Sequence, residues 1–358
     1  MLHTAFPDSI VLDFGLVGSL ERDPKLELIT SLSGVAGKGA HLWTVSDETR
    51  TVECLQWTGD HFGQAASYKL GKVFHLPPGS DEVDLEGLSL DGDHLWIIGS
   101  HSWTRRKLTQ PQPAKAADSD KSLKPGAIRP RPSRQLLGRM KLSTNGSLAI
   151  ADNGRFPSLP FEGPGSLRAL LGKDELIGDF VKLPDKENGL DIEGIAASGD
   201  RVMLGLRGPV LDGEYAVVVE LHLEGDDRLR ARRIGADKRR YRRHFVPLGG
   251  CGIRSLFLDG MDLVMIAGPT MNLSGPFFCK VWRNAMDGDQ DGVVSADRLT
   301  DGPSITAADG ERPEAITRIA VPGHGTGWLV LHDRPADRRY DRTGIYRADF
   351  IPAPLPAP

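Results

Sequence analysis

Three glutamates stand near the start of short apolar strands: Glu86 in "DLEGL", Glu193 in "DIEGI" and Glu314 in "RPEAI". Asp84 and Asp191 lie two residues before the first two, and Arg207 closes the strand that follows Glu193. A strand bound for a core takes such charges only if they are paired or face a polar space. Carboxylates gathered from several segments can do three things. They can pair with arginine, they can surround a hard cation such as calcium or magnesium with oxygens, or they can move protons beside a histidine.

The segments that must position these residues recur along the chain. "VDLEGLSLDGDHLWIIGSH" (83 to 101), "LDIEGIAASGDRVMLGLRG" (190 to 208), "GCGIRSLFLDGMDLVMIAGP" (250 to 269) and "RPEAITRIAVPGHGTGWLVLHD" (312 to 333) share one pattern, and "LSGVAGKGAHLWTVSDE" (32 to 48) is a weaker copy. Each reads as a strand, a Gly-rich turn and a more apolar strand; Asp91-Gly92 and Asp259-Gly260 are hairpin turn signals. Two copies are preceded by similar stretches, "GKVFHLPPGSDEVDLEG" and "GDFVKLPDKENGLDIEG", which suggest an outer strand and a Pro-containing loop. A repeated all-β unit of this kind predicts a β-propeller in one domain over 1–358, of five or alternatively six four-stranded blades.

Aligning Gly34, Gly87, Gly194, Gly252 and Ala315 leaves gaps of 53, 107, 58 and 63 residues. The long gap holds either two blades or one blade with insertions, and two segments favour insertions. Residues 104 to 133 are rich in Pro, Lys and Ser without apolar period, which predicts a flexible basic loop. Residues 166 to 180, "SLRALLGKDELIGDF", predict a short amphipathic helix. The last blade is expected from "EAITRI", "WLVLHD" and "GIYRADF", closed by the N-terminal "SIVLDF" so that no sheet edge stays open.

In a hairpin the start of the first strand and the end of the second lie side by side. With the first strand innermost, one mouth of the channel should gather Asp84, Glu86 and His101, Asp191, Glu193 and Arg207, Glu314, His332 and Asp333, and Asp47. The strand-start position is Ser33 in the first copy and Cys251 in the fourth, with Arg254 nearby. Three converging glutamates repel, so one of them must be protonated, salt-bridged or bound to a cation. Glu86, Glu193 and Glu314 are the candidate metal ligands. Asp84, Asp191, Arg207, Arg254, Asp333 and Asp47 are candidates for ligand contact, and His101, His332 and Glu193 for proton transfer. A purely structural ion-pair network fits the same residues. Arg207, followed by Gly208 and Pro209, is expected to be buried against Glu193 or Asp191.

A second, weaker cation signal is "DGDQDGVVSAD", where Asp287, Asp289, Asp291 and Gly292 have the alternating spacing of a calcium loop. The twelfth position, where a bidentate Glu belongs, is Arg298. The basic run "RLRARRIGADKRRYRRH" (228 to 244) has only Tyr241 and Phe245 as neighbouring aromatics and reads as a salt-bridged face rather than a nucleic-acid site. No Gly-rich phosphate loop, nucleophile elbow or H-E-x-x-H occurs.

The 358 residues carry a net charge of −4, which speaks against binding polyanions with the whole surface. The 42 glycines and 25 prolines suit many short strands. Cys54, Cys251 and Cys279 are odd in number and lack a C-x-x-C pair, so neither a disulfide framework nor a zinc knuckle is implied. The N-terminus shows no secretory pattern and no apolar run spans a membrane, so a cytoplasmic protein is expected.

"KENGLDIEGIAASGDRVMLGLRGPVLDGEYAVVVEL" (186 to 221) resembles the hallmark segment of DUF3616, a bacterial family of unknown function, and "DLEGLSLDGDHLWIIGSHS" fits it too. More distantly the chain is similar to esterase-like phytase and SdiA-regulated propellers, which share the D-x-E-G start. Calcium-dependent lactonase propellers of the paraoxonase type also place a Glu before a Gly on an inner strand, where Glu86 and Glu193 stand; their other metal ligands have no assignable match here. The resemblance implies a propeller and leaves the chemistry open. Three functions are therefore expected as alternatives: binding a small ligand or a divalent cation such as calcium at the channel mouth; metal-assisted hydrolysis of an ester, lactone or phosphoester, with Arg207 holding an anionic group; or a scaffold for a protein partner.

Overall fold

The computed structural model describes residues 9–15, 24–78, 83–105, 126–149, 154–235, 238–271, 273–288, 291–308 and 310–353. The fold is all-β and propeller-like. Its inner strands are Leu32–Lys38, Leu85–Asp91, Asp191–Ser198, Gly252–Asp259 and Arg312–Val321, one from each sequence repeat. Each pairs with the next strand through the expected hairpin: His41–Ser46, His94–Gly99, Arg201–Gly208, Asp262–Gly268 and Gly325–Asp333. The inner strands pack on one another in chain order, and the last packs back on the first. Leu85–Asp91 packs directly on Asp191–Ser198 although 107 residues separate Gly87 from Gly194.

The second strands explain why their sequences are apolar at consecutive positions. In Arg201–Gly208, Val202, Leu204 and Leu206 join a core with Trp96 and Ile98 of the preceding repeat, while Met203 joins Leu256 and Met265 of the following one. Trp96 and Ile98 alternate in the same way with Leu95 and Ile97, and Val264 and Ile266 with Leu263 and Met265. Side chains of a strand alternate between faces, so a sheet covered on both sides needs apolar residues at every position. Five separate cores lie between neighbouring sheets, including one shared by Leu329 and Leu331 with Leu42 and Val35 that joins the chain's two ends.

Closure follows the expected scheme and goes further. Ser9–Asp13 pairs antiparallel with Ile345–Pro352 and also parallel with Phe62–Lys69, which merges the first and last sheets into one of eight strands. Two local expectations change. The outer strands foreseen in "GKVF" and "GDFVK" are a helical turn at Leu70–Val73 and a 3-10 turn at Phe180–Lys182. Their buried residues, Leu70 with Phe74 and Ile177 with Val181, are four apart, which is helical spacing. The helix foreseen over 166 to 180 covers only Leu167–Leu171, because the Asp174 carboxylate accepts from the Leu176 and Ile177 amides and turns the chain. Of the insertion at 104 to 133, residues 106–125 lie outside the described residues; Thr104–Arg105 and Ile128–Arg129 form a short hairpin at its base.

Candidate functional site

Every inner strand carries a register shift at the same place. The shifts fall between Leu32 and Gly34, Leu85 and Gly87, Ile192 and Gly194, Ile253 and Ser255, and Pro313 and Ala315. A β-bulge leaves one extra residue unpaired and re-aims its side chain. The extra residues are Ser33, Glu86, Glu193, Arg254 and Glu314, a ring of one hydroxyl, three carboxylates and one guanidinium. The next residue lets the neighbouring inner strand approach. A Cβ on Gly194 would lie 2.7 Å from Leu256 Cγ, and one on Gly87 would lie 3.0 Å from Ile195 Cγ2. The E-G pair in "DIEGI" thus has two jobs: the Glu enters the channel and the Gly makes room for the next sheet.

This geometry corrects the repeat alignment in the fourth copy. The residue equivalent to Glu86 and Glu193 is Arg254, not Cys251, and Ser255 stands where Gly252 was placed. Arg207 is also the extra residue of a shift, between Asp191 and Ile192 on the partner strand, so it enters the channel beside Glu193.

Glu86, Glu193, Glu314 and Arg207 line a cavity of about 660 Å³ at one mouth of the channel. Nine carboxylates and five cationic side chains face it. On one side the charges are matched. Arg207 pairs with Asp191 and, at 2.5 Å, with Glu193 Oε1. Arg254 holds Glu193 Oε2 at 3.0 Å and pairs with Glu314. Burial draws Arg207 toward the neutral form, but Asp191 and Glu193 more than offset this and keep it charged. The ion pair expected for Arg207 is therefore present with both candidates. Arg134 holds Asp84 at 2.6 Å.

The other side is unmatched. Glu86 is 8% exposed, and among the described residues no cation lies within ion-pair distance of it. Burial raises its pKa well above the usual carboxylate range, helped by Glu193, Asp84 and Asp47. Asp47 is half-buried, its Oδ1 has no partner, and burial with Asp333 and Asp84 raises it to about 8. Asp333 meets Arg312 and Arg334 only at 3.9 and 3.8 Å.

The two histidines do not reach the cavity. Thr30, Ser31, Asp333 and Arg334 line it, but His332 does not. His332 and Asp333 are consecutive in a strand, so only one can face the channel; His332 turns into the sheet interior and meets Asp349 at 3.0 Å. His101 does not line the cavity either. It is buried with neither ring nitrogen bonded, and burial with Arg168 lowers its pKa to about 3. Neither imidazole is placed to carry protons in this cavity. Glu193 has both oxygens engaged by arginines and is not a free base.

The calcium loop foreseen at 287 to 297 is also corrected in part. Asp291 pairs with Arg239 and accepts from the Arg243 amide at 2.9 Å, so arginine occupies its acceptors; Asp289 lies outside the described residues. The basic run is salt-bridged, as its spacing suggested: Arg232 pairs with Asp200, Arg242 with Glu220 and Arg243 with Asp174.

Several lining residues carried no sequence signal. Arg134 follows the long insertion, Asp185 and Lys186 come from the loop before Asp191, Arg312 opens the last hairpin and Arg334 follows it. Arg254 is a candidate from the sequence, and its ring position is readable there too. Gly39, Gly92, Gly199 and Gly260 all occupy the left-handed region of their turns, and counting back five residues from each lands on Gly34, Gly87, Gly194 and Ser255.

The model of a family described as "Protein of unknown function (DUF3616)" matches residues 31–349, which include every bulged position. The chain belongs to the DUF3616 family. No curated protein matches the sequence. Among solved structures, this DUF3616 chain is similar to Myxococcus xanthus glutaminyl cyclase, at 10% identity over 97% of this chain and 99% of that one, with a TM-score of 0.38. It is similar to YCF48 from Cyanidioschyzon merolae at 14% identity over 90% and 96%, TM-score 0.35. For Kuenenia stuttgartiensis hydrazine synthase the figures are 10% identity and TM-score 0.35; 85% of this chain is covered, and it spans 56% of that chain. At such scores these likenesses assign neither an activity nor a ligand. None of the helices among the described residues is long and apolar enough to cross a membrane.

Proposed function

We propose that this member of DUF3616 is a five-bladed propeller that binds a small molecule carrying a positively charged group at its channel mouth. One observation carries the reading: Glu86 is buried beside Glu193, which two arginines clamp, yet among the described residues it has no cation of its own. A buried carboxylate without a partner either holds a proton or receives a cation from outside. Asp47 faces the same space, and a cavity of about 660 Å³ has the size of a small-molecule site. The three buried free thiols suit a reducing, cytoplasmic setting.

A divalent cation is the second reading, because oxygens of Glu86, Asp191 and Glu193 lie within 4.8 Å of one another. The donor set fits poorly. Both Glu193 oxygens and Asp191 Oδ2 already meet arginines, whereas calcium takes about 6–8 free oxygen ligands. An ion there would also sit against Arg207. Hydrolysis is not favoured, since the cavity has no free histidine and its best-placed carboxylate is clamped.

The test is thermal denaturation and calorimetric titration of the full chain with alkyl amines and guanidines, and separately with magnesium, calcium and manganese. Organic cations should raise the melting temperature of the wild type, and Glu86→Gln should abolish the effect. A response to divalent ions alone would replace this reading with the metal site; silence toward both classes would overturn it.

A further inference from the structure

A second cavity, of about 540 Å³, adjoins the acidic one. Arg312 and Arg334 line both. Arg254 lines the second while its guanidinium is anchored on Glu193 and Glu314 of the first. The two spaces therefore share a wall of arginines. Their chemistry differs. The second is lined by apolar side chains, among them Pro276, Phe277 and Leu273, which is 60% exposed. Its acid, Glu311, is already held by Arg339 at 2.5 Å. Arg312 and Arg334 share a single carboxylate, Asp333, and both meet it near the limit of ion-pair distance. Two guanidiniums against one distant carboxylate leave positive charge facing the boundary of the two cavities.

We infer that the ligand is a zwitterion of the amino-acid or short-peptide type. Its cationic group meets Glu86 and Asp47, its carboxylate meets Arg312 and Arg334, and its apolar side chain rests on Leu273 and Phe277. This rests on the cation-binding reading above and adds the opposite end of the ligand. A guanidinium is a planar fork of donors that matches a carboxylate in two parallel hydrogen bonds. Leu273, Pro276 and Phe277 together form an exposed apolar patch at the cavity, the kind of surface an apolar ligand group covers. A simple amine would satisfy Glu86 and leave the arginine pair and the apolar wall unused.

The experiment is calorimetric titration of the full chain with glycyl-, diglycyl- and triglycyl-phenylalanine, each against its C-terminal amide. The series varies the distance between amine and carboxylate. At least one free acid should bind about tenfold or more tightly than its amide. Arg312→Gln should bring that acid down to the affinity of its amide, and Arg334→Gln should reduce the same ratio if the first variant does not fold. Acids and amides of equal affinity, or a preference that survives both substitutions, would overturn the inference. If simple amines bind in a Glu86-dependent way and no peptide does, the zwitterion falls while cation binding stands. If no amine binds, both fall.

Discussion

Glu220 and Glu86 are both buried glutamates on strands, and they meet opposite surroundings. Glu220 is wholly buried in the third sheet, where Arg201, Arg242, His222 and His244 all bond to it at 2.9–3.1 Å. Burial alone would raise its pKa, but His244 and Arg201 overcome this and hold it at about 2. Glu86 has carboxylates for neighbours and no cation, and its pKa rises. The first glutamate is an internal tie between strands, complete within the chain. The second is one half of an interaction whose other half none of the described residues supplies. Buried charge by itself therefore says little about function; the balance of partners around it separates a tie from a site.

The largest expected effect is on the clamped side of the ring. Arg254 is the shared cation of Glu193 and Glu314. Arg254→Ala leaves two buried carboxylates to repel each other, and removing one partner of a buried pair costs about 3–5 kcal/mol. Urea denaturation should show a loss of that size. A loss below about 1 kcal/mol would mean that the arginine clamp contributes little, and the contrast with Glu86 would lose its meaning.

Glu220→Gln comes next, at about 2–3 kcal/mol, because it leaves charged arginines beside a neutral amide. Its pH dependence has a definite sign. The folded pKa lies below the ordinary value of 4.5, so the stabilisation is complete above that value and disappears as pH falls toward about 2. Denaturation midpoints of wild type and variant should approach each other only as pH falls to about 2 and stay apart at neutrality.

The repeat itself was readable because two constraints fall on adjacent residues. A bulged side chain must suit the channel, and the next residue must admit a neighbouring strand. Glu86-Gly87 and Glu193-Gly194 satisfy both, and Glu314-Ala315 nearly so. The fourth copy escaped because Cys251-Gly252 imitates the pair three residues early, while the true pair is Arg254-Ser255. With the register corrected, the spacings after Gly194 become 61 and 60 residues in place of 58 and 63. The histidines failed for a different reason. Proximity in sequence to a cavity residue does not place a side chain in the cavity, and strand parity sends His332 to the face opposite Asp333. Arg134 and Arg334 come from segments without repeat character, and Arg312 opens the last copy where Asp84 and Asp191 stand in others, so only the folded chain brings these arginines to the mouth.

On the unclamped side the expected effect is smaller and opposite in direction. Asp47 has an ordinary value of 3.8 and is raised to about 8 in the fold. The folded chain keeps a proton that the unfolded chain releases, so stability is highest at low pH and declines as pH rises from about 4 to about 8. Asp47→Asn removes that decline. The variant should match the wild type near pH 4 and exceed it by about 1–2 kcal/mol at pH 8, a figure reduced for the side chain's partial exposure. Glu86→Gln should act in the same direction. An amine that binds the cavity should stabilise the wild type more at pH 8 than at pH 5, because the carboxylates then need a cation most.

The smallest effect is expected at Asp291, a third kind of carboxylate. It is half-buried near the outer edge of the third sheet, paired with Arg239 and bonded to the Arg243 amide. Pairs of this exposure contribute about 0.5–1 kcal/mol, so Asp291→Asn should cost no more than that in urea denaturation. Its calcium response matters more than its size. In an alternating calcium loop each side chain turns its oxygens inward to one ion, and two arginines beside Asp291 place positive charge where that ion would stand. Calcium should therefore shift the melting temperature of wild type and Asp291→Asn equally. A calcium stabilisation present in the wild type and lost in the variant would restore the loop as a cation site. It would also mean that an arginine-paired carboxylate can still recruit a metal, which would weaken the distinction drawn between Glu220 and Glu86.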